Sequence, residues 1–422
     1  MFNRVAAAFS IGVLLCALSI AQASTNAECL TCHSANGFSS TGSDGKQVSL
    51  HVDGSMFSSS IHGGKSCVDC HIDLADKPFP HKTSADPVKC SRCHTKGNHN
   101  GAPQVSPMDS YRDSVHGLAA ADGDGDAPGC KDCHGSHDIR KHTDPLSRTY
   151  RTNIPATCAR CHSDSRITRD HKMTINQPVK LYDSSVHGKL LEKQGVLNAA
   201  VCTDCHGVHG IKAAKNSHSS VNHVNIPETC GKCHEKAYDE YKNSIHGQAR
   251  DKGVKDAPVC TDCHGEHSIQ KPSSPDSSVY PTHVVATCSK CHENVRMQKK
   301  YGLAGGRLAS YTGSFHGVAN KYGETTVANC ATCHGAHSIL PSTNKKSAVH
   351  KANLPTTCGK CHPGAGANFA NGDIHLMPSP TKDKKIYWIK KVYGMFVLGM
   401  IASFAGYIGL DLLHRFKRRG RH

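Results

Sequence analysis

Residues 260–267 read Cys-Thr-Asp-Cys-His-Gly-Glu-His. This stretch decides the fold, because its first five places recur eleven times as C-x-x-C-H. The first cysteines are Cys29, Cys67, Cys90, Cys130, Cys158, Cys202, Cys230, Cys260, Cys288, Cys330 and Cys358. The second cysteines are Cys32, Cys70, Cys93, Cys133, Cys161, Cys205, Cys233, Cys263, Cys291, Cys333 and Cys361. The histidines are His33, His71, His94, His134, His162, His206, His234, His264, His292, His334 and His362. Of 23 cysteines only Cys16 lies outside the pattern.

A bare C-x-x-C also serves zinc half-sites, redox dithiols and disulfides. None of these requires histidine in fifth place. With 32 His in 422 residues, chance supplies one there about one time in thirteen. Eleven in succession therefore mark a chemical requirement. Covalent c-type haem has that requirement: two thiols add to two vinyl groups, and the adjacent imidazole reaches the iron. Eleven haem c groups are expected.

The composition agrees. Only 37% of residues are hydrophobic and 5% aromatic, with a single Trp. An ordinary core for 422 residues needs more apolar side chain. Packed porphyrins would replace it. The net charge of +16 invites a nucleic-acid reading. The last 42 residues, however, hold ten of the Lys and Arg and only two Asp. Two propionates per haem turn the remainder of the chain slightly negative. No interleaved aromatics mark a single-strand binder. No nucleic-acid partner is expected.

The motifs pair into modules. A step of 28 residues separates Cys130 from Cys158, Cys202 from Cys230, Cys260 from Cys288, and Cys330 from Cys358. The two-haem modules run 60–94, 114–162, 185–234, 244–292 and 314–362, after a single site at 29–33. Each opens on Ser-x-His-Gly, which offers His62, His116, His187, His246 and His316. In the last four modules the first site extends to C-H-G-x-H and offers His137, His209, His267 and His337. His375 is a related member of the first group and His81 a loose counterpart in the second. These eleven match the haem count as distal ligands. His142, His223, His283 and His350 stand as alternatives, with His51, His99, His171, His218 and Met377 behind them. Asp122-Gly-Asp-Gly-Asp126 starts like a calcium loop but lacks the later Gly and Glu, so a flexible acidic linker is expected.

The two ends are read separately. Arg4, the apolar run from Val5 to Ile20 and Ala21-Gln-Ala23 form a secretory signal over 1–23. Export suits a thiol-oxidising compartment. The haem head then spans 24–380 and a juxtamembrane segment 381–391. Val392–Leu413 carries one charge, Asp411, and is long enough to cross a bilayer. Tyr387, Trp388 and Tyr393 sit at one edge, and a basic tail, 414–422, follows. Small residues from Gly399 to Gly409 suit close packing on another membrane helix. Export of the head leaves the tail cytoplasmic and places the anchor in the cytoplasmic (inner) membrane, with the head facing the periplasm. The expected fold is mainly α with much irregular structure: a multihaem cytochrome c head organised by stacked haems, plus one C-terminal transmembrane helix.

With its doubled C-x-x-C-H and C-H-G-x-H motifs, the chain resembles multihaem c-type cytochromes from Cys29 to His375. Its tail, Lys382 to His422, is similar to the membrane-anchored multihaem c subunits of bacterial cytochrome b/c quinol-oxidising complexes. That resemblance implies a cytochrome b or other quinol-oxidising partner. The expected function is electron transfer between the membrane quinol pool and periplasmic or extracellular acceptors in anaerobic respiration. Periplasmic or outer-membrane cytochromes would take the electrons. The alternative is a multihaem reductase of a nitrogen or sulfur oxyanion with one open haem. Every proximal motif ends in His and histidine is abundant, so an electron-transfer subunit is favoured over a stand-alone enzyme, and no catalytic residue is assigned.

Overall fold

The computed structural model describes residues 25–42, 45, 47–78, 80–81, 84–103, 105–368, 374–381 and 383–419, without the side chains of 418 and 419. The expected signal segment 1–23 lies outside the described residues, as do 420–422 of the tail. The fold is about half helical, 49%, with few strands and much irregular structure. One antiparallel pair, Ser39–Thr41 with Gln47–Ser49, is in register Ser40 opposite Val48.

The chain divides into two compact units. The first holds residues 1–177 and 201–212, the second 178–200 and 213–422. Neither has a conventional aliphatic core. The largest fully buried side chains are Val201, Val259, Pro227 and four serines, Ser114, Ser185, Ser244 and Ser347. Buried serines survive only with partners. Ser114 Oγ accepts from Gly117 N at 3.0 Å and donates to the Tyr111 carbonyl at 2.7 Å. Ser185, Ser244 and Ser314 cap their helices in the same way, on Gly188, Gly247 and Gly317.

This explains the Ser-x-His-Gly motif. Serine is the N-cap of a short helix. Histidine rides on its first turn. Glycine lets that turn lie against the preceding helix: a Cβ at Gly117, Gly188, Gly247 or Gly317 would overlap the carbonyl of Tyr111, Tyr182, Tyr241 or Tyr311. Each of these tyrosines donates its hydroxyl to a carbonyl 17 or 18 residues on, at 2.9–3.0 Å.

Lys384–Arg419 is the longest helix, 36 residues. Its stretch Lys384–Lys417 is long and apolar enough to cross a membrane, with mean hydropathy 1.8 and none of its apolar window buried among the described residues. It starts eight residues before Val392, inside the segment read as juxtamembrane. The reason is local: Lys384 to Lys391 contains no Gly or Pro, whereas Pro378, Pro380 and the left-handed Asp383 (φ 57°) precede it.

Candidate haem-binding sites

Each C-x-x-C-H sits on one turn of helix or in a turn. Asn26–His33, Cys130–His134, Ile154–His162, Cys202–His206, Cys260–His264, Val284–His292 and Cys330–His334 carry the whole of a motif or end on its histidine. Helical spacing puts places i, i+3 and i+4 on one face, so both thiols and the imidazole point the same way. The aspartate of C-x-D-C secures the turn by accepting from the backbone just ahead. Asp132 takes Gly129 N at 2.7 Å, Asp204 takes Val201 N at 2.8 Å, and Asp262 takes Val259 N at 2.7 Å. The glycine of C-H-G-x-H then turns the chain. Gly135, Gly207, Gly265 and Gly335 have φ of 79–88°, with ψ extended, a region that excludes side chains.

Ten pairs of imidazoles face each other at nearly one spacing. In the first unit these are His33 with His81 (ring centroids 6.1 Å), His62 with His94 (6.0 Å), His71 with His137 (6.3 Å), His116 with His162 (6.3 Å) and His134 with His209 (6.0 Å). In the second they are His187 with His234 (6.1 Å), His246 with His292 (6.3 Å), His264 with His337 (6.0 Å), His316 with His362 (5.9 Å) and His334 with His375 (6.3 Å). Every pair joins a motif histidine to one from the distal sets. His206 belongs to the first unit and His267 to the second.

The spacing fits an atom between two nitrogens. Two metal–nitrogen bonds of about 2 Å and the near halves of two rings come to about 6 Å. Several of the donors are held neutral as well. Burial, with the facing imidazole adding to it, holds His246 down to about 4. The same two causes in the same order lower His62, His116, His134 and His264. Neutral imidazoles are what iron ligation needs. At one site the tautomer is fixed. His33 Nδ1 lies 2.7 Å from the Leu50 carbonyl, which only accepts, so Nδ1 carries the proton and Nε2 is free.

Within each unit the motifs follow one another in space as in sequence. The thiols of Cys29 and Cys67 hydrogen-bond, as do those of Cys90 and Cys130, Cys158 and Cys202, Cys230 and Cys260, and Cys288 and Cys330. The second cysteines feel the next motif as charge: Cys93 pushes the Cys70 thiol up, Cys158 and Cys161 push up Cys133, Cys291 pushes up Cys263, and Cys358 and Cys361 push up Cys333, each behind the effect of burial. Sites one to six form a file in the first unit, and sites seven to eleven form one in the second. None of the 22 described cysteines is in a disulfide.

Residues 207–274 match the NapC/NirT cytochrome c family, N-terminal region. That stretch includes His209, the sites at Cys230 and Cys260, and His267. The likeness to cytochromes c implies covalent haem c and electron transfer. With its paired cysteines and long apolar C-terminal helix, the chain is consistent with a membrane-anchored multihaem c cytochrome. No curated protein and no solved structure matches it.

Other histidines face elsewhere. His223 Nε2 lies 3.0 Å from Asp262, His283 Nδ1 2.8 Å from the Ser277 carbonyl, and His51 Nδ1 3.2 Å from the Ala35 carbonyl. His350 caps Ala352 N at 3.3 Å. Asp126 is not in a free linker: Arg166 grips it with two bonds of 2.7 and 2.8 Å, and His171 lies beside it. Sequence reasoning passed over the tyrosines. Their signal was the longer repeat Tyr-x-x-Ser-x-His-Gly, at Tyr111, Tyr182, Tyr241 and Tyr311.

Proposed function

We propose that the chain is a membrane-anchored electron carrier holding eleven covalent haem c groups. Bound haem c supplies a one-electron ferric/ferrous couple at each site. The protein attaches, ligates and spaces these groups. The C-x-x-C thiols are the attachment points and the following histidines the proximal ligands. The distal ligands are His81, His137, His62, His209, His116, His187, His337, His246, His375 and His316, opposite His33, His71, His94, His134, His162, His234, His264, His292, His334 and His362 in that order. His206 as proximal and His267 as distal are assigned by motif alone.

The observation that carries this reading is the set of ten imidazole pairs at 5.9–6.3 Å. Two histidines per site favour a carrier over a reductase, which needs an open or displaceable ligand. The segment 1–23 exports the head to the periplasm, and the C-terminal helix anchors it in the inner membrane with tail 414–422 inside. The upstream partner is a cytochrome b or another quinol-oxidising subunit. Electrons enter near Cys358, the last site before the helix, and leave to periplasmic or outer-membrane cytochromes.

Intact mass and pyridine haemochrome should give eleven haems per chain, and fewer would overturn the count. Quinol added to membranes containing the cytochrome b partner should reduce the haems; no reduction would remove the quinol assignment. Carbon monoxide should leave the dithionite-reduced spectrum unchanged. A change worth one haem would transfer the reading to the reductase.

A further inference from the structure

The four module tyrosines fix more than their own helices. With each hydroxyl tied to a carbonyl, the residue just before it is turned about 100° to a set direction. Those residues are Ser110, Leu181, Glu240 and Ser310. Three of them lie against the segment that brings in a distal histidine. Ser310 Oγ is 2.8 Å from His375 Nδ1. Glu240 Oε2 is 3.7 Å from His337 Nδ1. A Cβ on Gly210, next to His209, would stand 3.6 Å from Ser110 Cβ.

We propose that the residue ahead of the module tyrosine is a tuning position, which sets the hydrogen bond or charge at the outer nitrogen of one distal histidine and so the reduction potential of one site per module. This rests on those histidines being iron ligands.

The two clearest cases differ in kind. Ser310 Oγ also lies 2.9 Å from the Arg307 carbonyl, which only accepts, so its one proton goes there. Ser310 therefore accepts from His375 Nδ1–H and leaves Nε2 facing His334. Glu240 stands beyond hydrogen-bond length and acts by charge. A carboxylate behind the imidazole strengthens the ligand and favours the ferric, more positive iron. The His264/His337 site is thus poised lower than the His334/His375 site. Leu181 supplies neither bond nor charge. One fold position, filled by Ser, Leu, Glu and Ser, grades the modules.

The test uses the full-length, haem-loaded chain in detergent, titrated with redox mediators and followed by low-temperature EPR. Glu240→Gln should raise the midpoint of one component worth one haem and leave the rest. Ser310→Glu should lower one component, and Ser310→Thr should retain the wild-type titration. An unmoved titration in Glu240→Gln, or an equal shift of every component, overturns the proposal. Unchanged haem content excludes misfolding as the cause. His337→Met separates the two levels. If it alters one haem signal while Glu240→Gln alters none, only the tuning role fails; if His337→Met alters none, the ligand reading fails first.

Discussion

The main-chain N–H of Val115 donates to the carbonyl of Ile211 at 2.8 Å. Val115 follows the capping serine of one module, and Ile211 lies two places past the G-x-H histidine of the next. The same bond joins Ile61 to Ile139, Val186 to Ile269 and Ile245 to Ile339, at 2.7–2.9 Å. Within each unit it draws the G-x-H histidine of one module back onto the module before. His137 thus meets His71, His209 meets His134, and His337 meets His264. Ser-x-His-Gly histidines stay at home, as His116 does with His162.

His209→Met should therefore disturb the haem at Cys130, not the nearer one at Cys202. A haemless Cys130→Ala, Cys133→Ala background checks this. There, His209→Met should add no further EPR change. An undiminished effect in that background would refute the crossed assignment.

Ser244 is fully buried and accepts from Gly247 N at 3.2 Å. Ser244→Ala should cost about 1 kcal/mol for the lost cap. Gly247→Ala should cost more, because its Cβ meets the Tyr241 carbonyl. Amide hydrogen exchange of 244–251 should rise in both, and more in the second.

Asp126 should produce an acid-side signature. The Arg166 guanidinium holds its carboxyl at about 2, below the ordinary 3.8. A depressed carboxyl stabilises the fold above its unfolded value and loses that contribution as pH falls through the folded one. The gap in thermal midpoint between wild type and Asp126→Asn should be full at neutral pH and close between about pH 4 and 2. The pair is exposed, so high salt should narrow the gap at every pH.

Two truncations should part anchor from ligand. A stop at Lys384 removes the apolar helix and should move haem stain from the membrane to the soluble fraction with haem ligation unchanged. A stop at Ile374 also removes His375, which faces His334 at 6.3 Å. Only the second should bind carbon monoxide when reduced, at about one haem's worth.

Much of this was legible in residue order. C-x-x-C-H dictates its own geometry, because places i, i+3 and i+4 share a helix face. The histidines that come to face the motif histidines could mostly be named from repeated Ser-x-His-Gly and G-x-H. Which faced which could not be read, since the crossing of His209 to His134 depends on a main-chain bond that no side chain announces. His81 and His375 carried only weak motif signals, yet they sit opposite His33 and His334. The long helix begins at Lys384, ahead of the expected span 392–413, because the helix propensity of lysines 384, 385, 390 and 391 carries it through the juxtamembrane segment. Glu240 and Ser310 were invisible until the tyrosine beside each had a fixed direction.

The crossed bonds also limit how such a chain can be rebuilt. A module excised from the middle leaves its predecessor without a distal imidazole, unless the one that takes its place brings a G-x-H segment of its own. Length can change by whole repeats only. After the module at 314–362, His375 stands opposite His334, the place that a G-x-H histidine takes in the earlier modules. Anyone grafting this head onto another anchor must carry the chain through His375, for the last few residues before the membrane belong to the head.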